Sequence, residues 1–147
     1  MSAEHNQALV CRLLSAIFEE RDYAAIDALV TRDFIDHEAP DRSRGPEPLK
    51  PYFAALHEAF PDLVHVVEQV IAQGDFVSVR SRWEGTHYGP YAGLTGTGRR
   101  VSVEGMTFWR VADGKVAERW AVLDRLALLR QLGAAPDAPS PGHARNP

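Results

Sequence analysis

Helices first and an antiparallel meander afterwards give this chain an α+β fold, a curved antiparallel sheet with N-terminal helices packed on it. Three observations carry that expectation. Apolar residues recur at helical spacing from the N-terminus to Phe60. From Leu63 onward the period changes to alternation, with valine and isoleucine enriched. Two short turn signals, Gln73-Gly74-Asp75 and Ala112-Asp113-Gly114, separate the alternating runs. A sheet of this kind curls into a cone-shaped barrel, and its open mouth is a natural place for a small-molecule pocket.

The elements follow in order. Leu9, Leu13, Leu14, Ile17 and Phe18 form one stripe on a helix over residues 4–20. Tyr23, Ile26, Leu29 and Val30 line a second, short helix that Asp22 caps. Asp33 to His37 reads as a short strand, followed by a polar loop from Asp41 to Pro48. Leu49, Phe53, Leu56 and Phe60 define a third helix over residues 47–60, with Pro48 and Pro51 tolerated in its first turn. Strands follow over 63–72, 76–87, 99–111 and 115–124, and a glycine-rich loop from Tyr88 to Gly98 reads as a flap over the mouth. Arg125 to Leu132 closes the domain as a short helix stopped by Gly133. The domain therefore spans residues 1–133. The proline-rich stretch 134–147 has no apolar period and reads as a disordered tail.

Bulk properties exclude several classes. The chain has 147 residues, enough for one domain with a real core. A net charge of −4 argues against nucleic acid as a partner. No apolar run is long enough to span a membrane, and the first residues do not read as a signal peptide, so a cytoplasmic location is expected. Cys11 is the single cysteine, which leaves no intrachain disulfide and no cysteine-based zinc site.

The last strand holds the most telling pattern. Strict alternation places Val116, Glu118, Trp120, Val122 and Asp124 on one face, and Ala117, Arg119, Ala121 and Leu123 on the other. Asp124 then has two readings: a proton-transfer carboxylate in an apolar pocket, or the N-cap of the closing helix. Trp83 shares a face with His87 on its strand. Trp83, Trp120, Phe60, Met106 and Tyr52 are the candidate substrate-binding residues, although parity does not decide whether Met106 or Trp109 faces inward. His5, His57, His65 and His143 have no partners nearby in sequence and read as surface residues.

Asp36-His37, Ala59-Phe-Pro-Asp-Leu63, Gly74-Asp75, Gly85-Thr-His87, Thr97-Gly98-Arg99, Asp113-Gly-Lys115, Trp120, Asp124 and Gln131-Leu-Gly133, in that order, resemble the SnoaL-like polyketide cyclase family. The resemblance covers about residues 5–133. It implies the nuclear-transport-factor-like, or cystatin-like, α+β barrel. It also implies a cyclase or isomerase that closes a ring of an aromatic polyketide ester by intramolecular aldol condensation, with no cofactor and no metal. By the same resemblance, Asp124 moves the proton, and His37 and His87 stand where family members often carry histidines that help hold the enolate. The strand Val103 to Trp109 departs from the family in having no histidine.

The bland reading of His37 and His87 is that each satisfies loop backbone at a strand end. A metal held by His37, His87 and Asp124 is conceivable as a two-histidine, one-carboxylate set, but no local ligand spacing supports it. The alternatives to a cyclase are a non-catalytic ligand-binding or dimerisation module, and an epoxide hydrolase using a carboxylate–arginine–carboxylate cluster. Val101, Val103 and Val111 on one long strand are compatible with a homodimer.

Overall fold

The computed structural model describes residues 2–39 and 44–134; residues 40–43 of the expected polar loop and the expected tail from 135 onward lie outside the described residues. Helix α1 (Ala3–Phe18) starts at Ser2, whose hydroxyl accepts from the His5 amide at 3.1 Å, and buries Val10, Leu13, Leu14, Ala16 and Ile17. A 3-10 turn (Tyr23–Ala25), capped by Asp22 as expected, runs into one turn of helix, α2 (Ile26–Leu29). Strand β1 (Val30–Asp36) begins where the second helix was expected to end, because Val30 is buried in extended conformation beside Val116. Helix α3 (Leu49–Ala59) starts after Pro48 and stops before Pro61.

The meander follows: β2 (Val64–Gln73), β3 (Phe76–Thr86), β4 (Arg100–Ala112) and β5 (Lys115–Leu123), then α4 (Arg125–Gln131). The strands form one sheet in the order β1-β5-β4-β3-β2. Neighbours in the meander are antiparallel, but β1 runs parallel to β5, so the sheet is mixed rather than wholly antiparallel. The chain reaches β1 before α3 and returns to it only with its last strand. The sheet has two free edges, and α1 and α3 cover its concave face to complete the cone. Asp113 and Gly114 both have positive φ, 53° and 74°, the backbone that a two-residue hairpin turn requires.

Two inserted residues bend the sheet and set its faces. Arg110 pairs with Glu118 while Val111 pairs with Val116, so Ala117 is an extra residue in β5. Val67 pairs with Ser81 while Gln69 pairs with Arg80, so Glu68 is an extra residue in β2. Each bulge shifts the inward–outward alternation by one position. Strict alternation from Val116 therefore assigns the wrong face to the second half of β5. Arg119, Ala121 and Leu123 look inward with Trp109, Thr107 and Gly105, and Glu118, Trp120 and Val122 look outward.

Two apolar clusters fill the cone. One joins α1 to Val77, Val79, Trp109, Val111 and Val116, and the other lies under α4 around Phe60, Trp83, Val101 and Leu128. The glycine-rich segment is a hairpin pinned at several points. His87 N donates to Arg99 O, Gly98 N to His87 O, and Tyr91 and Leu94 exchange both backbone bonds. Gly89, within this segment, lies against α3: a Cβ there would stand 2.4 Å from the Glu58 carbonyl oxygen.

Candidate functional site

Between the two clusters lies a cavity of about 370 Å³. Its buried wall includes Phe53, Ser81, Trp83, Trp109 and Arg119; exposed Tyr52, Pro90, Ala92 and Arg125 form its rim. No Asp or Glu lines it, so arginines carry the charge in its wall.

Arg119 is held by Asp36. Nη1 donates to both carboxylate oxygens at 3.0 Å, and Asp36 Oδ1 also accepts from Glu38 N at 3.0 Å. Both residues are more than nine-tenths buried, and the guanidinium carbon lies 6.0, 6.0 and 5.7 Å from the ring centres of Tyr52, Phe53 and Trp109. The ladder places the pair, since Asp36 on β1 is in register with Arg119 on β5. Arg119 Nε is buried and has no hydrogen-bond partner. A buried donor of this kind costs about 1–3 kcal/mol until an acceptor reaches it.

At the other end of the cavity wall, His65 stacks face to face on Phe18 at 4.0 Å and 7°. Burial pushes its pKa down to about 4, so the ring is neutral at pH 7. His57, also expected at the surface, lies on the buried face of α3 and bonds through Nδ1 to the Tyr23 hydroxyl. Burial, helped by Arg21, brings it likewise to about 4. Both expectations failed because helices cover the two rings, and sequence distance conceals that cover.

The three residues expected to do chemistry do not converge. Asp124 is exposed at the end of β5 and accepts from Ala127 N at 3.1 Å, capping α4. It lies outside the main cavity and faces an adjoining cleft on the outer side of the sheet, although its neighbours Leu123 and Arg125 line the cavity. His37 is on the outer face, stacked on Trp120 at 4.6 Å, with Nε2 2.7 Å from Glu118. The His37 and Arg110 bonds hold the Glu118 carboxyl below its usual range. His87 is fully buried against Phe60; its Nδ1 accepts from Thr97 N at 3.2 Å, and Nε2 has no partner. The bulge at Ala117 accounts for Trp120 and the His37 stacked on it.

Of the five candidate substrate contacts, Trp83, Tyr52 and Met106 line the cavity. Phe60 packs behind Trp83 at 4.9 Å, Trp120 faces outward, and Met106 stands on the outer face at the cavity's edge, 56% exposed. Trp109 faces inward. Sequence reading missed Arg119 and His65. A signal for Arg119 existed only as opposite charges on strands 83 positions apart. Among the described residues no group of three His, Cys, Asp or Glu side chains could hold a metal, and no helix is long and apolar enough to cross a membrane.

Replacing Asp36 by Asn should cost about 3–5 kcal/mol in chemical denaturation, because the buried guanidinium loses its counter-charge. Pairing it with Arg119→Met should recover most of that loss. A neutral effect of Asp36→Asn alone would contradict the ion pair. The two histidines give a second expectation. Their folded pKa values lie below the ordinary 6.5, so the unfolded chain binds more protons between about pH 4 and 6.5. Stability is fully present above that window and is lost as pH falls through it. Melting temperature should drop from pH 6.5 to 4, less so in His65→Phe; an equal drop in both proteins would rule out the His65 share.

The family model described as SnoaL-like polyketide cyclase matches residues 8–132. Aklanonic acid methyl ester cyclase DnrD of Streptomyces peucetius is 34% identical over 91 residues, 61% of this chain and 63% of that protein, so the match spans under two thirds of the relative's length. AclR of Streptomyces galilaeus, a proposed hydroxylase, superposes with a TM-score of 0.82 at 29% identity, over 99% of this chain and 95% of that one. A proposed SnoaL-like polyketide cyclase from Jannaschia sp. CCS1 gives 0.81 at 32% identity, over 91% and 95%.

Proposed function

From the premise that the chain belongs to the SnoaL-like polyketide cyclase family, we propose that it closes a ring on a flat aromatic polyketide ester by cofactor-free acid/base chemistry. The observation that carries this reading is the unpartnered Nε of Arg119, whose side chain lines an aromatic-walled cavity with no carboxylate among its described lining residues. Removing a proton beside a carbonyl leaves an enolate. A fixed guanidinium in an apolar site stabilises that oxygen far better than water-exposed donors do. The nucleophilic carbon then attacks a second carbonyl of the same molecule, forming a C–C bond, and the new alkoxide takes up the proton. Flat rings fit between Trp83, Trp109 and Phe53.

Asp124 is the proton carrier in this proposal. It sits between two lining residues, and the role requires its carboxylate to leave Ala127 N and turn from the outer cleft to the rim. Epoxide hydrolysis is less well supported, because Asp36 pairs with Arg119 behind the cavity wall and no carboxylate is among the described residues that line the cavity.

The assay is ring closure of an aklanonic acid methyl ester-type substrate. Asp124→Asn keeps an equally good helix cap, so the fold should survive while turnover falls about 10²–10⁴-fold. Arg119→Lys keeps the charge beside Asp36 but loses the unpartnered Nε donor, and turnover should fall about 10²-fold. Full activity in Asp124→Asn would remove Asp124 from the mechanism; binding without product in the wild type would leave a ligand-binding module.

We further propose a homodimer formed through the outer face of the sheet. Phe76, Phe108 and Trp120 contact in series at 5.3 and 5.8 Å, and Ile71, Met106 and Val122 are 61%, 56% and 75% exposed around them. Arg82 with Glu68 and Glu84, and Arg110 with Glu118, pair charges of both signs on the same face, so a second copy is a self-complementary partner. Val122→Asp should halve the mass measured by light scattering, and a wild-type monomer would exclude the dimer.

A further inference from the structure

Arg119 and His65 mark two ends of one aromatic wall. The Arg119 guanidinium lies 6.0 Å from the Phe53 ring, Phe53 lies 5.6 Å from Phe18, and Phe18 lies 4.0 Å from His65. On the sheet opposite, His65 is in register with Trp83 and Arg119 with Trp109. Trp83 faces Val103 and Trp109 follows six positions later on β4, about 20 Å of strand. The walls between these ends are mostly apolar, with Ser81 and Thr107 as small polar exceptions. Thr107 is already occupied, accepting from Trp109 Nε1 at 2.8 Å.

The His65 ring is held by stacking, and desolvation alone displaces its pKa, so no charged or hydrogen-bonding neighbour among the described residues engages it. A neutral imidazole offers one donor and one acceptor nitrogen. Arg119 at the other end offers donors only. The two ends therefore ask for different chemistry.

Resting on the reading of the cavity as the substrate site, we propose that His65 is a specificity-determining residue that binds a hydroxyl on the far ring of a fused aromatic substrate, while Arg119 takes a carbonyl or carboxylate oxygen at the near end. A hydroxyl donates to one imidazole tautomer and accepts from the other, so it suits His65 whichever nitrogen carries the proton. The aromatic wall spaces the two groups, and the substrate enters with a single orientation. A ligand lacking the hydroxyl makes no hydrogen bond to the imidazole, and that difference supplies the discrimination.

Equilibrium binding tests this without turnover, using quenching of tryptophan fluorescence. The probes are anthraquinone-2-carboxylate and 6-hydroxyanthraquinone-2-carboxylate, which differ only in the far-end hydroxyl. The wild type should bind the hydroxylated probe about 10-fold more tightly. His65→Phe keeps the stack on Phe18 and should bind both probes equally, at the wild-type affinity for the plain one. His65→Gln restores a donor and acceptor, and should regain part of the preference if the fold of His65→Phe is impaired. Equal wild-type affinities, or a preference that survives in His65→Phe, would overturn the assignment. Because the readout is binding, a His65-dependent preference in a protein with no ring-closing activity would sink the catalytic reading and leave this one standing.

Discussion

The buried ion pair between Asp36 and Arg119 is the contact on which the site depends, and one extra residue makes it possible. Without Ala117 in β5, alternation would turn Arg119 to solvent and bring Trp120 inside. The bulge puts a charge in the core, and that charge is tolerable only because β1 lies parallel to β5 with Asp36 in register. Both partners are buried, and two hydrogen bonds from one nitrogen engage the carboxylate while Nε stays without a partner. Apolar residues of the same volume would serve the core at least as well. Stability alone therefore does not account for the pair.

The second bulge has the same logic on the opposite edge. Glu68 shifts β2 by one position, so that His65 meets Trp83 across the inner face. Counting back from the Gly74-Asp75 turn without the bulge would put Val66 there instead. Two one-residue insertions at the two sides of a single sheet thus choose the polar groups of the cavity. Bulges bend strands and re-aim side chains at once, so the curvature that makes the cone and the chemistry that fills it share a cause.

Element order and turns were legible because each depends on local chemistry. The helical stripe of Leu13, Leu14 and Ile17, the hairpin at Asp113-Gly114 and the Asp22 cap are all short-range signals. The inner face of β3 was legible by parity, which is why Trp83 was found, whereas parity left Met106 and Trp109 on β4 undecided. The site was not legible beyond that. Arg119, His65 and the misassigned Trp120 all lie past a bulge, and Asp36 answers a charge 83 positions away. The parallel pairing of β1 was also hidden, because no turn links it to its neighbour. His57 and His65 looked isolated in sequence because their cover comes from α1 and the turn at Tyr23.

Strand order also governs how the chain can assemble. β1 is made early, yet its strand neighbour is β5, the last strand to be synthesised. The polar anchor of α1 is similarly remote: Asn6, fully buried, donates to the carbonyl of Gly74, 68 positions downstream, at 3.0 Å. Neither element can settle by local contacts, and non-local closure slows folding. The hairpins of β2 to β5 have close neighbours and can form as each strand appears. The first third of the chain therefore waits with its apolar stripe uncovered until the meander is complete. The cavity is enclosed last, by segments made before the sheet they cover.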